Sequence, residues 1–304
     1  MDARELGLTG LWLPLITPFR DGELDETSLR RLVRQYAAES VDGLILAATT
    51  GEGLTLDEGE TERLVGTVRA EIGAATRIYL GLSGSDTRKL LKALERTAAW
   101  PVDGYLVACP YYTRPPQAGL YRHFAALAGH TARPIVIYNI PYRTGVNLAN
   151  DTLLRLAELP NIVGVKDCCA DATQSFDLLR ARPPGFSVLT GEDALFYPAL
   201  TQGADGGILA AAHVETGKFA AVRRMLLAGD VVAALAAWRD LVDLARLLFA
   251  EPSPAPIKHW LWRAGLIESP EVRLPMAGVS DVLAARIDAE MARRSVGSVR
   301  VSAA

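Results

Sequence analysis

The sequence predicts a closed (β/α)8 barrel followed by a C-terminal helical extension. Three observations carry that expectation. Eight short apolar runs alternate with helical stretches before about residue 228 of the 304. The runs are nearly continuous and often branched, as in strands buried on both faces of a parallel sheet. No GxGxxG follows the first run, which weakens the runner-up, a doubly wound open sheet. The expected division is a barrel over residues 1–228 and an extension over residues 229–304.

Leu11–Phe19 reads as the first strand, with prolines near its mouth. Asp25 is a candidate N-cap, and Leu29, Leu32, Val33, Tyr36 and Ala37 follow with the spacing of an amphipathic helix. Gly43–Thr50 is the second strand, and Asp57 with Glu60 forms a capping box that opens the next helix. Further strands are expected at Ile78–Leu82, Gly104–Cys109, Ile135–Asn139, Ile162–Lys166, Ser187–Thr190 and Gly207–Ala210. Helices are expected between them, including Thr87–Ala99, Gln117–His130, Thr152–Leu159 and Ala194–Gln202. Beyond the eighth unit come Asp230–Phe249, Ile257–Ala264 and Val279–Ala292, and the tail from Arg293 is expected to fray.

Composition narrows the function. A formal charge of −3 leaves no basic footprint for nucleic acid. No apolar run reaches membrane-spanning length, and with Asp and Glu in place of a basic n-region no signal peptide is expected. Cys109, Cys168 and Cys169 form no CxxC, which suits a reducing cytoplasm. The four histidines are scattered without an HxH or HExxH pair, which disfavours a metal-dependent enzyme built on histidine ligands.

Catalytic groups of such a barrel gather at the C-terminal ends of its strands. There the sequence offers Thr49, Thr50 and Glu52, then Tyr111 and Tyr112, then Tyr138 with Arg143, then Lys166, then Gly191, Glu192 and Asp193. Asn161–Asp167 is the most informative of these stretches. Its apolar run ends in a lysine, a residue rarely buried without a purpose. Counting by two, Ile162, Gly164 and Lys166 share a face, and Gly164 is expected to clear room beside the amine. A partly desolvated lysine loses basicity and attacks ketones to form a Schiff base. Tyr138 suits the acid/base steps, and Thr49 and Thr50 suit a carboxylate. The protonated imine is its own electron sink, so no metal or organic cofactor is required. Glu192 and Asp193 stand where a barrel phosphate site would be glycine-rich, which points to a non-phosphorylated 2-keto acid.

Several motifs in order then make a resemblance. They are Thr-Thr-Gly-Glu at 49–52, Pro-Tyr-Tyr at 110–112, Tyr-Asn-Ile-Pro at 138–141, Val-Gly-Val-Lys at 163–166, Gly-Gly-Ile at 206–208 and Pro-Ala-Pro-Ile-Lys at 254–258. From Leu13 to about residue 292 the chain resembles the dihydrodipicolinate synthase / N-acetylneuraminate lyase family of Schiff-base aldolases. The resemblance implies that Lys166 is the Schiff-base lysine, Tyr138 the proton donor, and Thr49 and Tyr112 the rest of a Tyr–Thr–Tyr relay. It implies pyruvate binding at Thr50, Ile208 and Gly191. In the synthase branch the arginine matching Arg143 binds the carboxylate of aspartate semialdehyde. It also implies a homodimer or dimer of dimers, because the tyrosine matching Tyr112 is lent across an interface. The implied partners are therefore pyruvate, a small aldehyde and a second copy of the chain.

Two departures keep an alternative open. Tyr142 replaces the usual small residue before the arginine, and Asp167-Cys168-Cys169 follows the lysine. Both are reminiscent of 2-keto-3-deoxy sugar-acid aldolases, dehydratases or N-acetylneuraminate lyases. A keto-acid-binding paralogue without turnover is disfavoured, since Lys166 and Tyr138 are both present.

Overall fold

The computed structural model describes residues 8–39 and 41–301. Eight parallel strands close on themselves, each paired with its neighbours and the first with the last. They are β1 (Gly10–Pro14), β2 (Gly43–Leu46), β3 (Arg77–Leu82), β4 (Gly104–Ala108), β5 (Ile135–Asn139), β6 (Ile162–Asp167), β7 (Ser187–Thr190) and β8 (Gly206–Ile208). Closure leaves no strand edge unpaired, and alternate side chains point into the barrel or out toward the helices. Trp12, Ile45, Tyr79, Leu106, Val136, Leu189 and Ile208 fill the interior. The Trp12 and Tyr79 rings meet edge to face, 5.3 Å between centroids. Gly43 is small because any side chain there would run into the Trp12 ring.

The outer layer is α1 (Glu26–Ala38), α2 (Glu58–Ile72), α3 (Thr87–Thr97), α4 (Gln117–Ala128), α5 (Asn150–Leu156), α6 (Ala172–Ala181), α7 (Phe196–Thr201) and α8 (Thr216–Leu227). Asp25 caps α1 by accepting from Ser28 N, and Asp57 and Glu60 form the expected capping box on α2. These caps satisfy amide donors that the first helical turn leaves free. α9 (Val231–Leu248), α10 (Ala255–Arg263) and α11 (Asp281–Val301) follow. Their Trp238, Leu244, Leu261 and Ile287 join the same apolar core as the outer faces of the barrel strands.

The structure corrects four details. The first strand stops at Pro14, and Phe19–Arg20 instead pairs with Glu23–Leu24 in a small hairpin. The second stops at Leu46, because Ala47 turns into the left-handed region at φ 51°. The last helix runs to Val301 and does not end near residue 292. Arg293 and Arg294 hold it, through Glu290 and through Asp240 on α9. Within β6, Ile135 pairs with Ile162 but Val136 pairs with Gly164, so the strand carries a bulge at Val163. The extra residue turns Ile162 outward and Val163 inward. Ile162 therefore does not share the face of Lys166.

Candidate active site

Lys166, one residue before the end of β6, lies inside the barrel mouth and is only 5% exposed. It pairs in register with Tyr138 at the end of β5, and its Nζ lies 4.3 Å from the centre of the Tyr138 ring. Burial holds the lysine below its ordinary pKa; Arg143 adds to that, while the Cys168, Asp193 and Glu192 side chains oppose it. A lower pKa raises the fraction of neutral amine, the nucleophilic form. Burial pushes the Tyr138 phenol well above its usual range, and the Thr49 side chain nearby opposes that shift. The phenol thus stays protonated, with a hydroxyl neighbour through which a proton can pass.

Gly191, just past β7, is the residue that makes room for the amine. A Cβ there would stand 2.8 Å from Lys166 Cγ and closer still to its Cε and to Cys168 Sγ. Gly164 has another reason to be small, since a Cβ there would meet the Ser187 carbonyl oxygen on β7 at 2.5 Å. Ile208 is fully buried in the interior lining and Thr50 is buried at the end of the β2 loop. Thr49, beside it, is open to the mouth. Arg143 sits on a one-turn helix, Pro141–Thr144, whose chain turns at Gly145 with φ 76°. Asn139 braces the following loop by accepting from Leu148 N and donating to the Asn147 side chain. Beside the mouth lies a cleft of about 410 Å³ that takes in Thr49, Leu54, Leu82, Arg143 and Pro254 but not Lys166.

Tyr112 stands apart. It is 92% exposed at φ 69°, with its amide tied to the Thr144 carbonyl. Within one chain it does not join Lys166, Tyr138 and Thr49.

Asp167 points away from the reaction centre. Its carboxylate accepts from Cys169 N at 3.1 Å and from the Ser175 hydroxyl at 2.5 Å, which pins the loop into α6. The two cysteines also part. Cys168 is buried in the interior, Cys169 lies against Ser175, and both are free thiols.

Two acids matter more here than sequence reasoning allowed. Asp193 is buried, accepts from Ala211 N at 2.6 Å, and is pushed up to about 7 by desolvation. Glu192 faces the Tyr142 hydroxyl and the Cys168 thiol, and its Oε1 is buried with no hydrogen-bond partner. Their position at a strand end was the available signal. Among the described residues no three His, Cys, Asp or Glu side chains are grouped to hold a metal ion.

The arrangement has relatives. A chain named 4-hydroxy-tetrahydrodipicolinate synthase 2 from Clostridium acetobutylicum is 44% identical over 281 residues, covering 92% of this chain and 98% of that one. A 4-hydroxy-tetrahydrodipicolinate synthase from Moorella thermoacetica is 40% identical over 267 residues, covering 88% and 91%. The solved structure of the 4-hydroxy-tetrahydrodipicolinate synthase from Methylacidiphilum fumariolicum SolV superposes with a TM-score of 0.92 at 34% identity, covering 97% and 98%. The model of the dihydrodipicolinate synthetase family matches residues 7–292, and the chain belongs to that family.

Proposed function

We propose that this protein is a Schiff-base lyase that condenses pyruvate with L-aspartate semialdehyde. The observation that carries the reading is Lys166, buried at a strand end with its Nζ 4.3 Å from the ring of Tyr138. The neutral amine adds to the pyruvate ketone, and the carbinolamine loses water as Tyr138 and Thr49 pass protons. The imine then sheds a methyl proton to become an enamine. Its terminal carbon attacks the aldehyde, making the new carbon–carbon bond. Thr50 and neighbouring backbone amides hold the pyruvate carboxylate, while Gly191 and Ile208 bound the space around its methyl group. Arg143, on its short helix, takes the carboxylate of the aldehyde.

The relay needs a second tyrosine, and Tyr112 of the same chain faces solvent. We infer that it serves the site of a second copy, in a homodimer or dimer of dimers. No described helix is long and apolar enough to cross a membrane; a cytoplasmic enzyme is the simplest reading.

One observation favours a second substrate class. The Tyr142 hydroxyl, against Glu192, occupies the mouth beside Arg143, where a 2-keto-3-deoxy sugar acid would find polar partners. The test runs pyruvate with aspartate semialdehyde beside 2-keto-3-deoxy sugar acids and N-acetylneuraminate. Fast condensation is expected. Pyruvate release from a sugar acid alone would overturn the synthase assignment.

A further inference from the structure

Two motifs end in residues that the chemistry above leaves unused, Glu52 of Thr-Thr-Gly-Glu and Lys258 of Pro-Ala-Pro-Ile-Lys. They meet. Lys258 Nζ lies 2.5 Å from Glu52 Oε1, with the two side chains 0% and 2% exposed. The ammonium also donates to the Glu271 carbonyl at 2.7 Å and rests 4.3 Å from the Phe19 ring centre. The other carboxylate oxygen of Glu52 accepts from Arg273 N at 2.9 Å. Arg273 in turn bonds the Glu60 carboxylate on α2 and the Thr55 carbonyl. Glu52 is thus anchored to α10 and to the 271–273 segment at once.

The segment so anchored is the one that carries Thr49 and Thr50. It is bracketed by two non-glycine residues in the left-handed region, Ala47 at φ 51° and Glu52 at φ 52°. Such a backbone persists only where its surroundings impose it. The local restraints are Gly53 N to the Ala48 carbonyl, Glu52 N to the Thr49 carbonyl, Thr55 N and its hydroxyl to the Glu52 carbonyl, and the Thr17 hydroxyl on the Gly51 carbonyl at 2.7 Å. A buried ion pair adds little net stability compared with apolar residues of the same shape, because desolvation offsets the attraction. What apolar packing does not reproduce is the attraction between the two charges together with the directional bonds each partner makes, Lys258 to the Glu271 carbonyl and Arg273 N to Glu52.

We propose that the Glu52–Lys258 pair is a positioning device, which locks the Thr49–Thr50 segment against Lys166 and Tyr138 and so makes the C-terminal helices part of the active site. The inference rests on the roles given above to Thr49 and Thr50. With side chains 2% and 0% exposed, Glu52 and Lys258 act on the site through the chain that they hold. Burial brings Lys258 down to about 8, against the opposing pull of the Glu52 carboxylate beside it.

Lys258→Met and the double variant Glu52→Gln/Lys258→Met separate placement from stability. Each is measured at pH 7 for Tm, for kcat and KM toward pyruvate, and for borohydride trapping of pyruvate on Lys166. The single variant strands a buried carboxylate and loses both Tm and activity. The double variant is expected to regain a Tm close to that of the unaltered chain. Its kcat/KM stays at least tenfold down, with a raised pyruvate KM, and Lys166 still labels at saturating pyruvate. Recovery of kcat/KM together with Tm would overturn the proposal, leaving the pair a structural filler. A double variant that fails to fold would overturn it as well, since the pair would then serve folding. An unaltered chain that takes no label would instead sink the Schiff-base reading beneath it.

Discussion

Replacing Gly191 by alanine tests how tightly the Lys166 amine, the proposed nucleophile, is placed. The backbone of Gly191 is not in the left-handed region, so alanine fits its conformation. The obstacle is purely steric. The new methyl would stand 2.8 Å from Lys166 Cγ and nearer to Cε, whereas carbon atoms rest at about 3.5–4.0 Å. The lysine must therefore move by roughly 1 Å, or the strand end must retreat. Retreat is resisted, because Gly191 N is bonded to the Asp167 carbonyl on β6 at 2.9 Å. Overpacking of this kind costs about 1–3 kcal/mol of stability. A nucleophile shifted by about 1 Å loses on the order of 100-fold in rate, or ~2.7 kcal/mol of barrier. The assay is kcat/KM for the condensation, with the borohydride trapping rate at low pyruvate and a urea melt alongside. A folded Gly191→Ala enzyme with undiminished kcat/KM would refute the reasoning, because Lys166 would then have freedom that the packing denies it.

Three further outcomes are expected. Gly164→Ala should lower stability by about 1–3 kcal/mol in urea while sparing kcat, because its Cβ meets the Ser187 carbonyl; loss of kcat without loss of stability would return Gly164 to the amine pocket. Burial raises the folded pKa of Asp193 to about 7 from the ordinary carboxylate value of 3.8. The native state therefore binds the extra proton between those values, and its contribution, complete near pH 4, is lost as pH rises through 7. Asp193→Asn keeps the acceptor for Ala211 N and should remove that fall, about 4 kcal/mol in order of magnitude; equal pH slopes for the two proteins would contradict it. Arg143→Ala should raise the KM for aspartate semialdehyde at least tenfold and leave pyruvate trapping unchanged, and a rise in the pyruvate KM instead would move Arg143 to the other substrate.

Local features were legible in the sequence because they depend on near neighbours. The caps at Asp25 and Asp57 use residues three positions on, and both lie where expected. The eight apolar runs gave the strand order because each is followed by its own helix. The strand ends likewise brought out Lys166 and Tyr138, which pair in register. What escaped depends on cross-strand register or on distant partners. The bulge at Val163 is visible only in the pairing of β6 with β5, and it broke the count by two at Ile162. The room beside Lys166 comes from Gly191 on the next strand and not from Gly164 on its own. The final helix outlasts its expected end through ion pairs to Asp240, and Glu52 finds its partner in Lys258, far along the chain. Periodicity carries no information on any of these.

The central claim is that Lys166 is the residue that binds pyruvate covalently. Incubating the protein with pyruvate and borohydride, then weighing its peptides, tests this most directly. The account predicts that the Lys166 peptide alone gains the mass of one reduced pyruvyl group, and that Lys166→Ala abolishes both label and turnover while the chain still folds. An unmodified Lys166 peptide, or label on another lysine, would contradict it.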